Sequence, residues 1–347
     1  MRFLDFPNIV RAAWADYDST RTIKAVEDIS MRVSTNHVFK ITFVDGHYVV
    51  AKVSYFGQYQ HFLEDHTMIN VLSTNLLAPY DILLARSLVK GKELYTYRYQ
   101  DSLLDAWVVF YNPVRVDQML PRRLDEAQID ALGAEFARFH LECSRVRHTL
   151  PPWSKSIYTD LDQLERLLNT ELGQFVHRGY DEQIRRQCER LREHAARIGH
   201  DQLEKIPVFV DWNIGNFSVT EDYRLFSRWD YDWFRLGSRM LDFYFLSRIV
   251  SDIGDRTVFS YNLSTLTEAR FLRFLRAYHA VYPLTEAEIR FLPEAYRFFI
   301  LNYVVKDGRY FFHEVYASKL QQEAFTQYFP SLEEADVAEV VLKGLGV

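Results

Sequence analysis

The segment Val210-Asp211-Trp212-Asn213-Ile214-Gly215-Asn216-Phe217 sets an aspartate and an asparagine five positions apart, in a polar loop between two short apolar runs. A loop carboxylate can orient an attacking hydroxyl and accept its proton. A side-chain carboxamide oxygen beside it can hold a hard cation. Asp230 lies fourteen positions after Asn216, and Asp232 follows two positions later. Phe217-Ser218-Val219 and Leu225-Phe226 read as short strands, and a tight turn between them would bring Asp230 back beside Asn216. A second oxygen ligand there completes a magnesium site. A base next to a metal suits phosphoryl transfer, in which the protein contributes mostly positioning and charge stabilisation. Asp232 either assists at that metal or serves as a structural acid.

The third chemical element is Lys52, at the end of Val49-Val50-Ala51-Lys52. A strand lysine so placed can pair with the α- and β-phosphates of a nucleotide and with a helix acid, for which Glu64 and Asp65 are both available. The elements that must position these groups are legible. His37 to Val44 and His47 to Val53 are β-rich runs joined at Asp45-Gly46, a strong hairpin signal. A helix is expected over about 58–72, with Phe62, Met68, Ile69 and Leu72 at helical spacing. Tyr95-Thr96-Tyr97-Arg98-Tyr99 and Trp107-Val108-Val109-Phe110-Tyr111 read as further strands, and Asn112-Pro113 breaks the pattern. Beyond it the chain turns mostly helical. Residues 125–140 carry Ile129, Leu132, Phe136 and Phe139 on one face. Residues 181–198 are heavily charged, with Ile184, Cys188, Leu191 and Ala195 as a narrow stripe. Short strands return near Val208, and Thr285-Glu286-Ala287-Glu288 opens a late helix with a capping-box pattern. The expected fold class is therefore α+β in two lobes: a small strand-rich N-terminal lobe over 1–112 and a larger helical C-terminal lobe over 113–347 that carries the catalytic loop. A cleft between the lobes is the expected ligand site.

Composition narrows the function further. The 347 residues are 48% apolar and 25% charged, which suits a soluble globular chain with a sizeable core. The net charge of -6 argues against a dedicated nucleic-acid binder. Two cysteines cannot build a disulfide framework or a four-thiolate metal site. The eleven histidines show no His-Glu-x-x-His spacing, so zinc is not expected. The opening Met1-Arg2-Phe3-Leu4-Asp5 has an acid where a signal peptide needs an apolar run, and no stretch is long and apolar enough for a membrane span. The expected location is the cytoplasm, with no membrane partner. Aromatic residues make up 16% of the chain, which points to a ring-rich core or a ring-lined pocket.

A strand lysine, a helix acid, Asp-x-x-x-x-Asn and a strand Asp thus occur in order. In this the chain resembles the aminoglycoside phosphotransferase and choline kinase superfamily, which has a protein-kinase-like fold and includes type II homoserine kinases and a bacterial stress-response Ser/Thr kinase. The resemblance runs from about 36 to about 299. Asn36-His37-Val38-Phe39 and Tyr48-Val49-Val50-Ala51-Lys52 look like the family's first strands. Phe62-Leu63-Glu64-Asp65-His66 looks like the helix bearing the lysine's partner, with Glu64 and Asp65 both in register. Leu132-Gly133, Ala137 and His140 match the helix before the catalytic region, and Ala277-Tyr278 with Pro283-Leu284-Thr285 and Glu288 looks like its late helices. The resemblance implies an ATP- and Mg2+-dependent transfer of the γ-phosphate to a hydroxyl of a small-molecule acceptor. Asp211 would be the catalytic base and Asn216 and Asp230 the metal ligands. Lys52, steadied by Glu64 or Asp65, would hold the phosphates. Asp242 would be a structural acid, and the strand ending at Tyr111 would lead into a hinge offering backbone groups to adenine. The segment 158–198 and the late aromatic helices, with Tyr278, Tyr282, Tyr296, Phe298, Phe299 and Tyr303, would wall the acceptor pocket.

The chain also departs from the family. Phe209 stands where a loop-bracing His is usual, Val210 where a Gly precedes the catalytic Asp, and Asn213 where a His is frequent. No glycine occurs in the phosphate segment 30–35. Phe209 motivates an alternative reading as a nucleotide-binding pseudokinase scaffold. Glu64-Asp65-His66 motivates another, a Ser/Thr protein kinase of the stress-response type.

Overall fold

Period-2 alternation along the first strands sends one set of side chains to a helix and the other to a cleft. In the computed structural model, which describes residues 5–31, 34, 36–252 and 259–347, these strands form one antiparallel sheet. The opening residues 1–4 and part of the phosphate segment 30–35 lie outside the described residues. The chain starts with α1 (Phe6–Tyr17), capped by the Asp5 side chain, followed by β1 (Ile23–Asp28), β2 (Asn36–Phe43) and β3 (Tyr48–Ser54). After α2 (Tyr59–Asn75) come the short hairpin β4 (Val89–Lys90) and β5 (Glu93–Leu94), then β6 (Tyr97–Gln100) and β7 (Asp105–Tyr111). The sheet order is β1-β2-β3-β7-β6. Ala106, Val108 and Phe110 of β7 join Phe39, Val53 and Trp14 of α1 in one core cluster. Trp107, Val109 and Tyr111, on the opposite face, join Phe62, Met68, Ile69 and Leu72 of α2 in a second. That second cluster continues into the C-terminal helices, so α2 and the inner face of β7 share a core with the residues beyond Asn112. The same alternation puts Ala51 and Val53 on the α1 side and turns Lys52 toward the cleft.

The C-terminal part is mainly helical: α3 (Glu126–Val146), α4 (Ile157–Leu168), α5 (Glu171–Val176), α6 (Asp181–Ile198), α7 (Phe243–Val250), α8 (Ala269–Val281) and α9 (Glu286–Phe299). Thr285 and Glu288 form the capping box of α9. Helix α9 runs on into a π-helical stretch, Ile300–Lys306, and then the single turn α10 (Gly308–Phe311). Helices α3 and α8 pack tightly because position 133 has no side chain; a Cβ on Gly133 would stand 2.5 Å from the Phe274 carbonyl oxygen. Two small antiparallel pairs lie between α6 and α7: β8 (Ile206–Val208) with β11 (Arg235–Gly237), and β9 (Phe217–Val219) with β10 (Leu225–Arg228). No helix among the described residues is long and apolar enough to cross a membrane.

Candidate active site

The loop between β8 and β9 carries Asp211 and Asn216, and it is braced from beneath. The Asp242 carboxylate accepts the backbone amides of Phe209 (2.9 Å) and Val210 (2.6 Å) on one oxygen. Its other oxygen lies 3.0 Å from His140 Nε2, and His140 Nδ1 lies 2.8 Å from the Tyr278 hydroxyl. All of these groups are buried, so α3, α7 and α8 jointly fix the loop's entry. Val210 takes a left-handed φ of 60°, a costly conformation for a β-branched residue. The side chain of Asp211 is thereby set at the loop's head, where Asn213 N donates to Oδ1 (3.2 Å) and Asn216 Nδ2 to Oδ2 (3.1 Å). Because Asn216 spends its amide nitrogen on Asp211, its Oδ1 is left to act as an acceptor or ligand.

The β9-β10 turn returns the chain as the spacing of Asn216 and Asp230 requires. Trp229 N donates to the Asn216 carbonyl (3.0 Å), which sets Asp230, at a left-handed φ of 67°, beside the loop. Lys52 Nζ lies 3.2 Å from Asp230 and bonds Asp232 as well. Asp232 also accepts from Asn36 Nδ2 (2.5 Å), at the start of β2. Burial alone would push the Lys52 ammonium down, but the two carboxylates outweigh it and the net shift is upward. Burial, reinforced by the Asp230 charge, pushes the Asp211 carboxyl up to about 6, against the opposing pull of Arg228. That places Asp211 near the range useful to a general base.

Arg228, fully buried at the end of β10, is the residue that sequence reasoning passed over. Its guanidinium donates to the carbonyls of Asp211 (2.9 Å), Asn216 (3.0 Å) and Trp229. Three rings surround it, with centroids at 5.3 Å (Phe209), 5.0 Å (Trp212) and 5.8 Å (Tyr231). One cation thus ties the Asp211–Asn216 loop to the strand end that carries Asp230. Phe209 supplies no hydrogen bond there, but it forms a wall of the cation's aromatic cage, and Arg228 does the bonding.

Above this loop a cleft of about 470 Å³ opens between it and the sheet. Lys52, Asn216 and Asp230 line its inner end, and Asn112, Val114 and Val116 its outer wall. Val38, Val50 and Ala85 give it apolar faces suited to a flat ring. Tyr111 also lines it; its hydroxyl lies 2.6 Å from His66 Nε2, while His66 Nδ1 bonds the Phe62 carbonyl (2.9 Å).

No family model and no curated protein matches the chain. Solved structures do match. The amicoumacin kinase hAmiN, in complex with AMP-PNP, Ca2+ and Ami, aligns with a TM-score of 0.62 at 14% identity, over 96% of this chain and 95% of that one. A microcompartment-associated aminopropanol kinase gives 0.58 at 15% identity, over 97% and 98%. Choline kinase LicA from Streptococcus pneumoniae gives 0.52 at 13% identity, over 99% of each chain. This is the fold of the aminoglycoside phosphotransferases and choline kinases.

Within that fold, Lys52, Asp211, Asn216 and Asp230 come together, whereas Glu64 and Asp65 do not join them. The expected pairing of Lys52 with one of these helix acids is corrected: its carboxylate partners are Asp230 and Asp232. Glu64 points aside and accepts from Ser154 Oγ (2.5 Å), and Asp65 is held by Lys155 Nζ at 2.6 Å. The reason is competition, since Asp232 reaches Lys52 from below while Lys155 satisfies Asp65. The donor set suits magnesium. Asp230 and the free Asn216 Oδ1 are hard oxygens, and magnesium typically takes one or two protein oxygens and completes its shell with water and phosphate. No group of three or more His, Cys, Asp or Glu ligands stands together among the described residues, so phosphate oxygens would be needed here.

Proposed function

We propose that this chain is a phosphotransferase that uses ATP and Mg2+ to phosphorylate a hydroxyl of a small molecule, with residues 1–112 as its nucleotide lobe. The observation that carries the reading is the convergence of Lys52, Asn216 and Asp230 on an apolar-walled cleft, with Asp211 held beside them by its hydrogen bond from Asn216. Asn216 Oδ1 and Asp230 would hold the magnesium ion, which supplies charge neutralisation at the phosphates. Asp211 would orient the acceptor hydroxyl and take its proton as the oxygen bonds to the γ-phosphorus. The bond from the γ-phosphorus to the β–γ bridging oxygen breaks, and its electrons leave on ADP. Lys52 would neutralise the α- and β-phosphates, and residues 112–116 would offer backbone groups to adenine.

A small acceptor is supported by the aminopropanol, choline and amicoumacin kinases that share the fold. The scaffold alternative rested on Phe209, and the Arg228 bonds to the loop weigh against it. The test is thermal denaturation with ATP, with and without magnesium, for wild type and Asp230→Ala. A rise in Tm that needs magnesium and disappears in the variant supports the reading. No rise in the wild type counts against it.

A further inference from the structure

Alternation along β2 puts Asn36 and Val38 on one face of the sheet, and the pairing of Val38 with Lys52 brings the ammonium onto that same face. All three residues line the nucleotide cleft. Asn36 and Lys52 are thus diagonal neighbours on adjacent strands, and both reach down to one carboxylate of the C-terminal lobe. Asn36 Nδ2 donates to Asp232 Oδ2 (2.5 Å), and Lys52 Nζ bonds Asp232 Oδ1. The two acids of Asp230-Tyr231-Asp232 therefore differ in kind. The Asp230 side chain is 38% exposed and lines the cleft, whereas that of Asp232 is 14% exposed and carries a donor on each oxygen.

Lys52 needs a carboxylate, because its side chain is 8% exposed and an unpaired buried ammonium is costly. Asp230 lies 3.2 Å away, but it is also the proposed magnesium ligand. A carboxylate that ligates a dication spends its charge on the ion. Were Asp230 the sole partner of Lys52, ammonium and magnesium would compete for one acid. The helix acids are engaged elsewhere: Lys155 holds Asp65 at 2.6 Å, and Ser154 donates to Glu64. Asp232 is the carboxylate that can serve Lys52 once Asp230 takes the metal.

We propose that Asp232 is a positioning residue: together with Asn36 it holds Lys52 at the phosphate site from across the cleft, and so reserves Asp230 for magnesium, without binding the metal itself. The role rests on the phosphotransferase reading given above.

The experiment is a double-mutant cycle on the full chain. The Kd for mant-ATP is measured by fluorescence at one fixed, subsaturating magnesium concentration, and unfolding in urea is followed in parallel without nucleotide. Asp232→Asn keeps the side chain's shape and removes its charge, which sends Lys52 to Asp230. It should raise Kd about tenfold. In the Lys52→Met background the same substitution should change Kd by less than about twofold. Asn36→Ala is the milder variant and gives the same readout if Asp232→Asn fails to fold. It should raise Kd about threefold and lose that effect with Lys52→Met. In urea, the protein carrying both Lys52→Met and Asp232→Asn should have a midpoint no lower than the worse single variant, since removing both partners strands no charge. Asp65→Asn and Lys52→Met should instead be additive in both assays.

An Asp232→Asn effect that persists undiminished with Lys52→Met would make Asp232 a metal ligand and overturn the role. Coupling of Lys52 to Asp65 in place of Asp232 would overturn it too. If the wild type binds ATP and Asp232→Asn leaves the Kd unchanged, the role falls and the phosphotransferase reading stands. A wild type that binds no ATP overturns both.

Discussion

Replacing Arg228 by Met keeps the side chain's length and removes its donors. The guanidinium bonds three carbonyls, but that of Asn216 retains the Trp229 amide at 3.0 Å. The carbonyls of Asp211 and Trp229 lose their principal donor. Each of these part-buried carbonyls so stranded costs about 1–3 kcal/mol. Removing the charge recovers part of the desolvation cost of the cation. The net expectation is a loss of about 2–4 kcal/mol, read from urea unfolding followed by tryptophan fluorescence. The larger effect is on turnover, because Arg228 holds the loop bearing Asp211 to the strand end bearing Asp230. A misplacement near 1 Å costs about a hundredfold. The predicted pattern is kcat down by about a hundredfold, with KM for nucleotide changed by less than about threefold. Arg228→Lys keeps the charge but not the forked geometry, and should fall between Met and wild type. A Met variant as stable and as active as wild type would refute the bracing role.

Two further predictions concern the same scaffold. Asp242→Ala strands the amides of Phe209 and Val210 together with His140 Nε2, and should cost about 3–5 kcal/mol in urea unfolding; a loss below about 1 kcal/mol would contradict that account. Burial first, and then the charge of Lys52, lowers the His66 imidazole from 6.5 to about 3. The unfolded chain takes up a proton below pH 6.5 that the folded chain refuses until about pH 3, so stability falls as pH drops through that window. The limiting slope is about 1.4 kcal/mol per pH unit. His66→Gln should flatten the stability curve there, and an unchanged slope would remove His66 from the explanation.

Much of this architecture could be read from residue order. The hairpin around Asp45-Gly46 and the stripe Phe62, Met68, Ile69 and Leu72 are periodic local signals, and the sheet and α2 follow from them. The distance from Asn216 to Asp230 was legible because a two-stranded return has little freedom. Helix α1 went unread although Asp5 and Pro7 mark its start and Ile9, Val10, Ala13 and Trp14 its buried stripe. The partner of Lys52 was not legible, since choosing among Asp65, Glu64 and Asp232 depends on how lobe and loop approach each other. Arg228 was hidden for a related reason: a charged strand residue ordinarily faces water, and the carbonyls that bury this one converge only in the folded chain. The π-helical stretch carrying Asn302 and Lys306 has no residue period of its own to betray it.

The central claim is that Asp211 works as the base of a magnesium-dependent phosphotransferase. Its most direct test is release or transfer of the γ-phosphate from radiolabelled ATP with magnesium, for wild type and Asp211→Asn, with nucleotide binding measured in parallel. The account predicts slow turnover by the wild type even with water as acceptor, and its loss in Asp211→Asn while magnesium-dependent ATP binding persists. Equal turnover by the two proteins, or a wild type that binds ATP with magnesium without ever breaking the γ-phosphate bond, would contradict it.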